Sequence, residues 1–136
     1  MIRKDFIEAE IQKLAEVIAK IIGLKNQGDL DNALELSRQT LSETFGFEKE
    51  FLENSTIEEF QTEVTRRNYS AEKLNLFAQL LFESAYPFQD TDECKSIVHK
   101  VAFLLNMLET EHHQQTLENL NRREMIDNFL NNNQYE

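Results

Sequence analysis

The chain has 136 residues, with 25 acidic side chains against 14 basic ones and a formal charge of −11. That length suits one domain with a substantial buried core. Three glycines and one proline supply too little turn chemistry for sandwiches, barrels or Gly-rich phosphate loops, so the composition predicts an all-α protein.

A first helix is predicted over Arg3–Asn26. Ile7, Ile11, Leu14, Ile18 and Ile21 form one helical stripe, and Val17 and Leu24 widen it to the breadth of a core-facing side. Gly28 is the expected stop. Asp29 is the expected N-cap of a second helix with Leu30, Ala33, Leu34, Leu41 and Phe45 inward, ended by Gly46. So short a connection makes the two helices antiparallel. Phe47 to Asn54 reads as an acidic, aromatic connector of one or two helical turns. Ser55, Thr56, Ile57 and Glu58 read as a capping box. It opens a third helix through Ile57, Phe60 and Val64, with Arg66 and Arg67 at its negative end.

Ser70 is the expected cap of a fourth helix carrying Leu74, Phe77, Leu80, Leu81 and Ala85. The helix ends at Tyr86-Pro87, because the residue before proline leaves the helical region. Asp90 to Glu93 begins a fifth helix with Cys94, Ile97, Val98, Val101, Leu104, Leu105 and Leu108 at helical spacing. The polar stretch from Glu109 to Glu124 is expected to turn near Glu111 to Thr116, with Thr116 capping a last helix before Leu117 and Leu120. A straight helix from Asp92 to Leu130 would run roughly 58 Å at about 1.5 Å per residue. The radius of gyration of such a domain is only about 14 Å. Met125, Ile126, Phe129 and Leu130 then form a candidate interface, either folded back or paired with a second subunit, and 131–136 is expected to fray. No low-complexity linker divides the chain. The reading is one domain, 1–136, of about six helices.

The charge argues against partners of the same sign. Lys13, Lys20 and Lys25 are spread along one helix and Arg66-Arg67 and Arg122-Arg123 are isolated pairs, so no basic face offers itself to nucleic acid or to an anionic membrane. No apolar run reaches the length of a membrane span, and the N-terminal segment lacks the features of a signal peptide. Cys94 is the only cysteine, which excludes an intramolecular disulfide and points to a cytoplasmic protein, either monomer or homodimer.

Two helix pairs repeat one pattern. Each joins an apolar helix to a second helix through a polar turn holding an Asp, and places a small residue four positions later: Ala33 after Asp29, and Cys94 after Asp90. The first pair, with Gly28-Asp29 at its turn and Ala33-Leu34 beyond, resembles the tetratricopeptide repeat. That repeat would imply antiparallel hairpins stacked in an array. The second pair departs from it, with Gln89 in place of the turn Gly, and neither pair ends in Pro. The chain also resembles a family of uncharacterised, small, all-helical bacterial proteins. The matching stretches are Asp5-Phe6-Ile7, Asn26-Gln27-Gly28-Asp29 with Ala33-Leu34-Glu35-Leu36, and Ala71-Glu72-Lys73-Leu74 leading to Leu80-Leu81. The resemblance implies a fold and no activity.

Catalytic constellations are sparse. Glu109 and His112 have the Glu-x-x-His spacing of carboxylate-bridged di-iron bundles, and His113 stands four residues after Glu109. A second such pair is lacking. These three are the weak candidates for a metal, and no cofactor motif accompanies them. Cys94 sits in a helix's first turn among Asp90, Asp92 and Glu93, which oppose thiolate formation. Ser55 and Ser70 read as caps, and no nucleophile elbow occurs. The expectation is therefore a non-enzymatic interaction or scaffold module that holds a peptide or helix of an unidentified partner protein in a helical groove. The alternative is a metal- or small-ligand-binding bundle using Glu109, His112 and His113.

Overall fold

The computed structural model describes residues 2–134, and side chains from 5 to 132. It contains α1 (Ile2–Asn26), α2 (Leu30–Phe45), α3 (Lys49–Asn54), α4 (Ile57–Arg67), α5 (Ala71–Ala85), α6 (Asp92–Glu111) and α7 (Leu117–Gln134). The described residues hold seven helices and no strand, one helix more than the sequence reading gives, because the acidic connector forms a helix of its own, α3. Helix α7 runs to Gln134, so the tail expected over 131–136 overlaps its end, and 135–136 lie outside the described residues.

Local chemistry sets the boundaries. Gly28 takes φ +83° between α1 and α2, and the Asp29 carboxylate accepts from the Asn32 backbone N–H at 3.4 Å. Gly46, at φ +73°, closes α2. The capping box falls one residue later than the sequence suggests. Thr56 Oγ1 accepts from the Glu59 backbone N–H at 3.1 Å, and the Glu59 carboxylate accepts from the Thr56 backbone N–H at 2.8 Å. Ser55 has no capping role: its carbonyl serves a lysine instead, and its hydroxyl is buried without a partner. Ser70, Thr91 and Thr116 cap α5, α6 and α7, each accepting from the backbone N–H three residues on.

Two ion pairs fix the direction of packing. Lys73 of α5 meets Glu10 of α1 at 2.6 Å, and Lys25 of α1 meets Glu83 of α5 at 2.8 Å. Both sequences rise together, so α1 and α5 run parallel. Helix α5 packs against α1, α2 and α6. The centre is apolar: Leu14, Ile18 and Ile21 of α1, Leu41 and Phe45 of α2, Leu74, Leu80 and Leu81 of α5 and Val98, Val101 and Leu104 of α6 are all buried. Phe77 of α5 lies between two rings, stacked on Phe45 at 4.7 Å and on Phe47 at 5.2 Å. Arg67, at the end of α4, covers this region. Its guanidinium donates to the Phe45 carbonyl and lies 4.0 Å from the Phe47 ring centroid.

Helix α7 folds back along α5 and α6. Asn119 Nδ2 donates to Asn75 Oδ1 at 2.8 Å, and the Phe129 ring lies 5.0 Å from that of Phe88. Its inward side is anchored by buried Asn119 and Ile126, while Leu117 and Leu120 point outward. None of the described helices is long and apolar enough to cross a membrane.

Candidate functional site: a cleft walled by α2, α3, α5 and α6

The end of α5 and the start of α6 meet α2 on one side and α3 on the other, leaving an open cleft. Its inner part is a small pocket over an apolar floor of Leu34, Leu41, Phe47, Leu52 and Ile97. Its outer, more open part continues past Ser84 to the Tyr86-Pro87 turn and Cys94. Both parts share Arg38, Lys49 and Glu53 at the rim. Local folding explains the position of each wall. The Gly46 turn throws the chain from α2 into α3, setting Lys49 and Glu53 opposite Arg38. The Tyr86-Pro87 bond is cis, and this turn brings Cys94 back to the end of α5.

The rim charges are loosely held. Arg38 and Glu35 are 3.4 Å apart and Lys49 and Glu53 4.0 Å apart, with both cationic side chains nearly half exposed. Such pairs are weak, worth about 0–1 kcal/mol, and can exchange for a ligand's charges. Ser84 is engaged with the Leu81 carbonyl at 2.6 Å. The Cys94 sulfur accepts from the Gln89 backbone N–H at 3.4 Å and lies 3.8 Å from the Ala85 carbonyl. Burial pushes the Cys94 thiol above its ordinary value, the Gln89 contact pulling the other way. The site can therefore bind through apolar contact and mixed charge, and it holds no activated nucleophile.

The residues singled out by sequence are dispersed. Gly28, Asp29 and Ala33 lie at the α1–α2 turn, where Ala33 is fully buried. Glu109 is near Arg123 at 3.6 Å and accepts from Gln115 at 3.4 Å. His112 ends α6, and His113 takes φ +54° in the turn to α7. Among the described residues no group of three His, Cys, Asp or Glu side chains is placed to hold a metal ion. The four residues of the candidate interface do not form one surface. Ile126 is fully buried, Phe129 and Leu130 pack against the core, and Met125 is exposed.

Two features escape the sequence reading. The cleft rim of Arg38 and Lys49 arises where α3, the helical turns expected of the connector, lies beside α2. Lys100 is buried, 1% exposed, within α6. Its signal was its place three residues after Ile97 and four before Leu104, on the inward stripe. Burial holds its ammonium below the ordinary lysine value, with the Glu59 carboxylate acting the other way. No family model, curated protein or solved structure matches the chain.

Proposed function

We propose that the chain is a protein-interaction module whose cleft between α2, α3, α5 and α6 takes a short segment, extended or helical, of a partner protein. The supporting observation is the cleft itself: an apolar floor beneath a rim carrying both signs of charge, in a chain whose single thiol is left unactivated. Apolar anchoring with a few orienting polar groups is the usual composition of a peptide groove. In this reading α1/α2 and α5/α6 are two hairpins stacked in a tetratricopeptide-like array, with α3 and α4 inserted between them and α7 covering the far side. The setting is cytoplasmic, and neither nucleic acid nor membrane is a partner of so acidic a surface.

A displayed library of random peptides, selected on the full chain, tests this. The selected peptides bind with micromolar affinity, and Leu34→Glu in the cleft floor abolishes binding while the melting temperature stays within a few degrees. Selection that yields no binder, or binders indifferent to Leu34→Glu, overturns the proposal.

A further inference from the structure

A lysine that is buried and makes no salt bridge among the described residues, Lys100, lies directly behind one wall of this cleft. Lys100 Nζ donates to the Ser55 carbonyl at 2.7 Å and to Ser96 Oγ at 2.7 Å, and Ser96 Oγ in turn donates to the Leu52 carbonyl at 3.4 Å. The Phe60 ring centroid lies 5.9 Å from the ammonium. Leu52 is in α3 and Ser55 is the residue that ends it. Thus two carbonyls at the C-terminal end of α3 are held from α6 by one ammonium and one hydroxyl.

Besides these bonds, α3 is held by Leu52 and by the half-buried Phe51, whose ring lies 5.8 Å from that of Phe47. It has six residues, and Leu52 is its single fully buried side chain. It begins just beyond the left-handed Gly46 and ends in the extended Ser55. We propose that α3 is a movable wall of the cleft, latched shut by Lys100. When α3 is closed, the ammonium exchanges water for a carbonyl and a hydroxyl partner, and the Glu59 carboxylate acts on it without forming a salt bridge. When α3 swings out, the ammonium regains water, which lowers the free energy of the open form. A charge in this position makes the wall bistable, whereas an apolar side chain would leave its carbonyls unlatched. Opening carries Lys49, Leu52 and Glu53 away and widens access to Leu34, Ser84 and Cys94. The inference rests on the cleft being the binding site, but its test uses no ligand, so the latch and the binding reading can fail separately.

Amide hydrogen exchange on the full chain, wild type against Lys100→Met, reads the latch; methionine keeps the length of the stem and removes both donations. Exchange across 49–56 quickens roughly tenfold or more, as the loss of hydrogen bonds from a charged donor implies, while α1, α2 and α5 keep their protection. The single cysteine reports on the cleft. Labelling of Cys94 by a soluble thiol reagent rises several-fold in the variant. Unchanged exchange in α3, or a uniform rise in every helix, overturns the latch. Faster α3 exchange with unchanged Cys94 labelling overturns its role as a wall of the cleft. Should Lys100→Met fail to fold, Ser96→Ala removes one arm of the clamp and is read in the same way.

Discussion

Lys25, in the last turn of α1, closes the end of α5 through Glu83. Its Nζ reaches the Glu83 carboxylate at 2.8 Å and the Glu83 main-chain carbonyl at 2.7 Å, and the Tyr86 carbonyl at 2.6 Å. Both side chains are 13% exposed. A cation at a helix C-terminus meets the negative end of the dipole and satisfies carbonyls that lack intrahelical partners.

Lys25→Met should therefore destabilise the protein by about 1–3 kcal/mol, the range for removing a charged donor from partly buried acceptors. A fall in the urea midpoint with an unchanged slope is the expected outcome. Lys25→Arg, which keeps the charge but changes the donor geometry, should recover part of it.

The two left-handed glycines separate backbone strain from crowding. Gly28→Ala meets nothing within 4 Å, so its loss is that of the positive φ, about 1 kcal/mol. At Gly46 an added Cβ would stand 3.1 Å from Arg67 Nη1, and Arg67 is pinned by the Phe45 carbonyl and the Phe47 ring. Gly46→Ala should thus lower the thermal midpoint by more than Gly28→Ala does.

Helix α7 is anchored by one side chain above others. Ile126→Ala should be destabilising by about 2–5 kcal/mol, as for a buried aliphatic truncation. Met125→Ala, next to it but exposed, should stay within about 0.5 kcal/mol. Chemical denaturation of the two variants gives both values. Ending the chain before Thr116 should lower the melting temperature and leave the particle monomeric by light scattering.

Lys100 gives the protein an alkaline signature. Its native value lies below the ordinary lysine value, so between the two the unfolded chain binds more protons than the native one. Stability therefore rises with pH across that window, and the charged lysine is destabilising below it. Denaturant unfolding at a series of pH values approaching 10 should show the wild type gaining on Lys100→Met as pH increases. A constant difference would mean that the ammonium is hydrated in the native state.

The helices with strong periodicity and caps were legible: α1 from its isoleucine stripe, α5 from Ser70 to the Tyr86-Pro87 turn, α6 from Ile97 to Leu108, and the break before α7 from Thr116. What escaped was decided by tertiary context. The helical turns of the connector were read, but not where they pack: α3 has no side-chain cap and lies against α6. The Thr56 register was hidden because Ser55 and Thr56 are both good caps; Ser55 is taken up in ending α3, where its backbone N–H donates to the Phe51 carbonyl. In α7 the buried side went to Asn119, bonded to Asn75, and not to Leu117 and Leu120, which composition alone does not indicate. The cleft was illegible for a related reason: Arg38 and Lys49 belong to different helices and meet only across the Gly46 turn.

Phe77 places its ring between Phe45, the last residue of α2, and Phe47, just past Gly46. The two halves of the chain consequently share one aromatic layer and cannot melt in sequence. Heating should give a single calorimetric peak whose integrated enthalpy equals the van't Hoff value. With leucine at Phe77 the layer is broken, and the enthalpy ratio should depart from unity before the fold itself is lost.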